Sequence, residues 1–254
     1  MKTPNAVRLP IIALIVTVFL WAGAGRPGRA AAAEAGKVRV LLITGGHGFE
    51  REPFFKVFQE NPDITFAASE EPQAQARWKA DAASRYDVIV LYDMWQSISD
   101  EAKADFLARL KEGKGLVALH HCLASYQNWP EYAQVIGGKY RLEKTVENGG
   151  EKPGSTYRHD VDFTVRLADQ RHPVTRGLTD FAIHDETYGG FDVSPQSHVL
   201  LTTDAPTSGP AIGWAKTYGK ARVVYLQLGH DHQAYENPNY RRLVAQAIRW
   251  VARR

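Results

Sequence analysis

The run VRVLLITGGHG, residues 38–48, is apolar on both faces until it ends in a Gly-Gly-His-Gly turn. A strand that is apolar on both faces is typical of the buried centre of a parallel sheet. Two later runs repeat the pattern, GLVALHHC at residues 115–122 and RVVYLQLGHDH at residues 222–232. Because open α/β sheets bind ligands beyond the carboxyl ends of their strands, the three histidine-bearing ends predict one polar site.

The rest of the chain alternates between strand-like and helix-like segments. Residues 64–68 and 86–92 predict further strands, and residues 52–60 and 100–112 have the apolar spacing of helices. The second half adds short, alternating, antiparallel-type strands and a closing helix: residues 155–167, 198–203, 211–215, 222–227 and 238–252. This order predicts an α/β fold, a three-layer sandwich with a mostly parallel sheet. We expect residues 139–152 to be a surface insertion.

The first 33 residues have the pattern of a secretory signal peptide. Lys2 and Arg8 precede an apolar run, and an Ala-rich segment follows it. The run is shorter than the ~20 residues that span a bilayer, although Arg26 and Arg29 keep an uncleaved anchor open as the alternative. We therefore expect one domain at residues 34–254, exported to the periplasm or the extracellular space, without stable membrane insertion after cleavage.

Cleavage would also change the charge of the protein. It would remove four positive charges from a formal net charge of +3, which leaves −1. No Lys/Arg cluster remains that would indicate a nucleic-acid partner. Cys122 is the single cysteine, so an intramolecular disulfide is excluded. The sequence leaves the oligomeric state open.

Four residues form the candidate reactive centre. His47, His120 and His230 follow strands, and Glu186 lies in the polar segment 184–188, which we expect to be a loop. We predict His120, Glu186 and His230 as catalytic residues. With His47 they could also hold a divalent metal such as zinc, because imidazoles and a carboxylate are a mixed N/O set suited to such an ion.

Five residues are candidates for substrate binding: His47, His121, Trp129, Tyr188 and Asp231. Trp and Tyr offer flat apolar faces with a polar tip, which suits a small carbohydrate ligand. Adjacent strand residues point to opposite faces, so the pattern leaves open which of His120 and His121 faces the site. We interpret His159, His172 and His198 as structural.

Cys122 offers a competing interpretation. A cysteine at a strand-to-helix elbow near a histidine is the arrangement of a nucleophilic hydrolase. Leu123 and Ala124 follow it, however, where a glycine would normally relieve the strained elbow. We expect this thiol to be a spectator.

The chain resembles the ThuA-like (trehalose utilisation) family. The matching stretches span nearly the whole chain after residue 37: residues 43–47, 115–120, 128–132, 172–178, 184–188 and 225–231. The resemblance implies a flavodoxin-like fold related to the class I glutamine amidotransferases and a role in carbohydrate catabolism. It also places His120, the family's first histidine after the fourth strand, near the amidotransferase nucleophile position, so amidotransferase activity is not implied.

These observations lead to one functional expectation and two alternatives. We expect an exported protein that acts on a sugar or keto-glycoside by isomerisation, elimination or hydrolysis, with a His/Glu site and possible assistance from a metal. The first alternative is a non-catalytic carbohydrate-binding module. The second is an amidotransferase-type hydrolase that uses Cys122 and His230.

Overall fold

The computed structural model describes residues 36–147 and 149–254. The predicted signal peptide lies outside the described residues. The strands are β1 Val38–Gly45, β2 Ile64–Glu70, β3 Val88–Asp93, β4 Gly115–Leu119, β5 Gly138–Lys139, β6 Thr145–Glu147, β7 Gly150–Lys152, β8 Thr156–Leu167, β9 Phe181–Gly189, β10 Asp192–Val193, β11 His198–Thr202, β12 Ala211–Tyr218 and β13 Ala221–Leu226. The α-helices are α1 Arg51–Gln59, α2 Asp100–Glu112, α3 Pro130–Ile136, α4 His232–Glu236 and α5 Pro238–Val251.

Nine strands form one large sheet in the order β2-β1-β3-β4-β13-β12-β11-β8-β9. The first five pair in parallel, in the strand order of flavodoxin-like folds. The remaining four extend the sheet with antiparallel pairing. The predicted α/β class and flavodoxin-like fold are therefore confirmed, and the carboxyl ends of β1, β4 and β13 lie at one edge of the sheet.

Helices cover both faces of the parallel strands, so the fold has three layers. Helices α1 and α5 bury Phe54 and Ile248 in one apolar cluster with Val90 of β3. Helices α2 and α3 cover the other face, where Phe106 and Val135 share a second cluster with strand residues. None of the helices in residues 36–147 and 149–254 is long and apolar enough to cross a membrane.

Gly115 shows how closely the helical layer approaches the sheet. A Cβ atom built on this first residue of β4 would lie 2.6 Å from the backbone oxygen of Val251, at the end of α5. Any larger residue there would push α5 away from the sheet.

The polar segment 184–188 is not a loop, as the sequence suggested, but the second half of strand β9. Its partner is β8, which pairs with it from Tyr157↔Tyr188 to Val165↔Phe181. The expectation was wrong because the polar residues of β9 find polar partners in distant parts of the chain, which local hydrophobic periodicity does not reveal. The predicted surface insertion contains the short β6–β7 hairpin.

Candidate functional site

His120 is the first residue after β4 and is held in an unusual conformation. Its φ is +52°, in the left-handed region that non-glycine residues rarely adopt. Its Nδ1 lies 2.6 Å from the carbonyl oxygen of Gln227. The backbone carbonyl oxygen of His120 accepts a hydrogen bond from Tyr225 Oη at 3.0 Å. Because a carbonyl only accepts, Nδ1 carries a proton and Nε2 points toward the site.

Glu186 of β9 lies directly opposite His120. One of its oxygens, Oε2, is 3.1 Å from His120 Nε2 and 3.3 Å from His230 Nδ1. Burial would raise the pKa of this carboxyl, but hydrogen bonds with His120 and His230 lower it well below its usual range. Glu186 is therefore ionised near pH 7. Tyr188 Oη also approaches His120 Nε2, at 2.9 Å.

His230 follows β13 and completes the cluster. The hydrogen bond with Glu186 raises the pKa of His230, and this outweighs the opposing effect of burial. The loop that carries it is fixed by Asp185, whose buried carboxylate accepts the backbone N–H groups of Gly229 at 2.7 Å and His230 at 2.9 Å. No local sequence signal singles out Asp185, since its role depends on the pairing of β9.

His159 of β8 also joins this cluster, although the sequence analysis interpreted it as structural. Its Nδ1 lies 3.1 Å from His230 Nε2 and 3.4 Å from Glu186 Oε1. No local signal distinguishes it from His172 and His198, because only the long-range pairing of β8 with β9 brings it to the site.

The cluster lies beside a cavity of about 260 Å³ at the carboxyl edge of the sheet. Ten residues line it: His47, Met94, His121, Ala124, Tyr140, Leu142, Tyr157, His159, Glu186 and Tyr188. His120 is almost fully buried and lies outside this lining. The volume is near the lower end of the ~300–1,000 Å³ range of small-molecule sites, so the cavity suits a ligand of about one sugar ring.

His47 and His121 form a further part of the cavity wall, with ring centroids 4.7 Å apart. His121 is buried, and neither of its ring nitrogens has a hydrogen-bond partner in the described part of the chain. Burial lowers the pKa of both imidazoles, that of His121 well below its ordinary value, so both are neutral near pH 7. His47 reaches this wall because Gly46 turns with φ +80° at a point where a Cβ would lie 2.6 Å from the Met94 backbone.

Two predicted substrate-binding residues lie elsewhere. Trp129 packs among Phe106, Tyr126 and Tyr132 in the core. The side chain of Asp231 caps helix α4 by accepting from the backbone N–H of Gln233. Both positions are explained by packing and helix capping.

Cys122 lies in a buried 3₁₀ turn, away from the cavity lining. It is fully buried, and burial raises the pKa of its thiol well above the ordinary value. Beside it, the carboxyl of Asp93 accepts from Ser125 Oγ through Oδ2, while Oδ1 has no partner among the described residues. Burial, reinforced by the charge of Glu71, raises the pKa of Asp93 to about 7. A buried thiol beside this carboxyl is poorly suited to be a nucleophile.

The residues present fit a divalent metal. His120, Glu186 and His230 each offer one ligand atom, and these atoms lie within 4.8 Å of one another. Two imidazoles and one carboxylate are a known ligand set of catalytic zinc, which leaves a position open for substrate. The hydrogen bond from His120 Nδ1 to the Gln227 carbonyl is the kind of outer contact that fixes a metal-binding imidazole. His47 lines the same cavity but is not part of this group of three.

Comparison with known proteins agrees with this architecture. The family described as "ThuA: Trehalose utilisation" matches residues 39–251. No curated protein sequence matches the chain. A ThuA-like protein from Parabacteroides merdae superposes with a TM-score of 0.69 at 20% identity, covering 85% of this chain and 90% of the other.

Two further structures share the fold. A ThuA-like protein from Bacteroides uniformis has a TM-score of 0.63 at 18% identity, with 84% of this chain and 91% of the other covered. A β-galactosidase from Rahnella sp. R3 contains a similar segment, with a TM-score of 0.53 at 13% identity, covering 82% of this chain and 31% of the enzyme. The chain belongs to the ThuA family, and this membership indicates a carbohydrate-related role.

Proposed function

We propose that the protein is an enzyme that binds a neutral sugar or keto-glycoside in this cavity and moves a proton on it, in an isomerisation or elimination. The observation that carries the proposal is the presence of two unlike groups in the lining of one small cavity. One is the ionised carboxylate of Glu186, fixed between two imidazoles. The other is the neutral imidazole of His121, whose ring nitrogens have no hydrogen-bond partner among the described residues.

The charge of the cavity supports a neutral ligand. Its ten lining residues include one carboxylate and neither lysine nor arginine. A sugar hydroxyl both donates and accepts, so it can satisfy the ionised Glu186 and the neutral His121 together. In the metal-free protein, a sugar phosphate or sugar acid would instead bring its negative charge close to Glu186, without the Arg or Lys that usually binds such groups.

His47 is the best-placed proton acceptor in this proposal. Its Nδ1 lies 2.7 Å from the carbonyl oxygen of Gly48 and must carry a proton, so Nε2 is the free base. Because burial lowers the pKa of His47, the imidazole is unprotonated near pH 7 and can take a proton from a carbon next to a carbonyl. A divalent metal held by His120, Glu186 and His230 would supply the Lewis acid that polarises such a carbonyl.

Hydrolysis by a pair of carboxylates has less support. Most glycosidases place two carboxyl groups on either side of the scissile bond, whereas Glu186 is the single carboxylate in the cavity lining. Asp185 is adjacent in sequence, but its oxygens accept from backbone N–H groups. The cysteine hydrolase alternative also lacks support, because Cys122 is fully buried.

Two measurements test the proposal. Calorimetry on chelator-treated protein should detect one Zn²⁺ per chain. In the metal-free protein, binding of glucose should exceed binding of glucuronate or glucose 6-phosphate. Incubation of a keto-glycoside in D₂O should then exchange the hydrogen next to the carbonyl, and His47→Ala should abolish this exchange. Preferential binding of the anionic sugars would contradict the assignment of substrate class.

The carbohydrate-binding module remains the second candidate, and one observation favours it. Tyr157 is 61% exposed at the cavity mouth and offers a flat platform of the kind that binds sugar rings. Sugar binding without any hydrogen exchange or turnover would support this candidate over the enzyme.

We also propose that the protein is exported after cleavage of its first 33 residues. The charged start, the short apolar run and the Ala-rich segment support this. N-terminal sequencing of the protein from its native host should then begin near Ala33 or Glu34. A cytoplasmic protein that retains Met1 would refute it.

A further inference from the structure

A β-bulge lies opposite Glu186. Strands β8 and β9 pair regularly up to Arg158↔Thr187 and resume at Val161↔Asp185. Two residues of β8, His159 and Asp160, therefore face the single residue Glu186 on β9. Asp160 has φ +56°, in the left-handed region. Bulges bend a strand and redirect side chains, and they are common beside functional sites.

The redirected His159 contacts the outer atoms of the Glu186–His230 pair. The inner atoms of the pair, Glu186 Oε2 and His230 Nδ1, lie 3.3 Å apart and converge with His120 Nε2. The outer atoms, Glu186 Oε1 and His230 Nε2, both lie within 3.5 Å of His159 Nδ1. His159 Nδ1 thus lies behind both groups, while their other atoms point inward. When His230 Nε2 carries a proton, His159 Nδ1 can accept it in a hydrogen bond.

Packing does not explain this arrangement. The His159 side chain is 48% exposed, so it contributes little to the core. Its ring contacts are with Tyr157, at 5.2 Å, and His230, at 4.6 Å, both at the site. A left-handed aspartate is a local strain that a strand tolerates only where the surroundings impose it.

We propose that His159 is a positioning residue, whose Nδ1 accepts from His230 Nε2–H and so orients that imidazole for metal binding through Nδ1. The proposal rests on the function proposed above, in which His230, Glu186 and His120 hold a divalent metal. Partners that hydrogen-bond to ligating side chains typically change metal affinity by about 10–100-fold when they are removed.

Three variants test this role. His159→Ala removes the contact, His159→Asn keeps an amide atom near the place of Nδ1, and His198→Ala is the matched control. Like His159, His198 is exposed and contacts a carboxylate, since its Nε2 lies 2.9 Å from an oxygen of Asp169. Unlike His159, it does not line the cavity, and it is not one of the three candidate metal ligands. Calorimetry with Zn²⁺ should give an affinity about 10–100-fold weaker for His159→Ala, largely restored in His159→Asn and unchanged in His198→Ala.

The outcomes separate this inference from the proposed function. If the parent protein binds Zn²⁺ and His159→Ala binds it equally well, the positioning role is wrong and the metal site stands. Equal weakening in the alanine and asparagine variants would also overturn the role, since it would not depend on a hydrogen bond.

A measurement without metal covers the remaining case. In metal-free protein, the imidazole ¹⁵N signals of His230 should move in His159→Ala, return toward the parent positions in His159→Asn and stay in place in His198→Ala. If Zn²⁺ fails to bind the parent protein, the metal proposal fails and these signals still decide whether His159 positions His230. Signals that are identical in all variants would overturn the inference.

Discussion

Replacement of the buried Asp93 by asparagine should make the stability of the protein less dependent on pH. The folded state holds the pKa of Asp93 at about 7, against an ordinary value of 3.8. Between these pH values the unfolded chain has lost the proton while the folded chain keeps it. Stability therefore falls as pH rises from about 4 to about 7, with a slope of ~1.4 kcal/mol per pH unit.

The total effect follows from the size of the shift. A difference of roughly three units at ~1.4 kcal/mol each gives ~4 kcal/mol, present below pH 4 and lost above pH 7. The asparagine side chain would not titrate, so the free energy of unfolding of Asp93→Asn, relative to the parent, should rise by about this amount between pH 4 and pH 8. Oδ1 of Asp93 has no partner among the described residues, so the amide group of the variant lowers the free energy of unfolding by an amount that does not vary with pH.

Urea unfolding at several pH values measures this difference, and titrations shared by the two proteins cancel. Asp81→Asn is the control, because Asp81 is an exposed carboxylate of the same type. Parallel stability curves for Asp93→Asn and the parent would refute the reasoning, since they would mean that Asp93 titrates alike in both states.

Three further changes give separate predictions. Glu186→Gln should weaken Zn²⁺ binding in calorimetry by more than the ~10–100-fold expected for an outer contact. In the parent protein, the affinity for Zn²⁺ should fall as the pH drops through the raised pKa of His230, because the protonated imidazole cannot bind metal. Cys122→Ala should keep both Zn²⁺ affinity and any turnover, and a loss of turnover would restore the thiol as nucleophile. Gly115→Ala should lower the free energy of unfolding by ~1–3 kcal/mol, as seen for overpacked cores, because the added Cβ would collide with Val251. An unchanged midpoint of urea unfolding would contradict that close approach.

The parallel half of the fold could be predicted because its signals are local. Strand β4, Gly115–Leu119, lies within the apolar run that the sequence marks at residues 115–122, since a buried parallel strand is a continuous apolar run between polar ends. The same logic brought His120 and His230 to one edge, because parallel neighbours share an edge for their carboxyl ends. The metal and catalytic roles of these residues stay predictions.

The antiparallel half could not be predicted to the same depth. The place of Glu186 depends on the register of β8 against β9, and a bulge shifts that register by one residue. A one-residue shift changes which side chains face the site, and nothing in the local sequence marks it. His159 was missed for this reason. Trp129 packs in the core and Asp231 caps a helix, since aromatic and acidic residues near a site also serve in these ways. Their substrate-binding roles stay predictions.

The candidate site joins two parts of the sheet that are distant in the chain. His120 and His230 extend from the parallel strands, whereas Glu186 and His159 come from the terminal antiparallel pair β8–β9. Proteins open in cooperative parts, and a pair of strands at the end of a sheet can detach at lower free energy than the centre. A ligand held by Glu186, His120 and His230 binds only when β8 and β9 are docked on the sheet. The ligand therefore raises the free energy of opening of these two strands by RT ln(1 + [L]/Kd). Amide hydrogen exchange in these two strands should therefore slow on binding, while exchange in helix α2, which carries none of these side chains, keeps its rate.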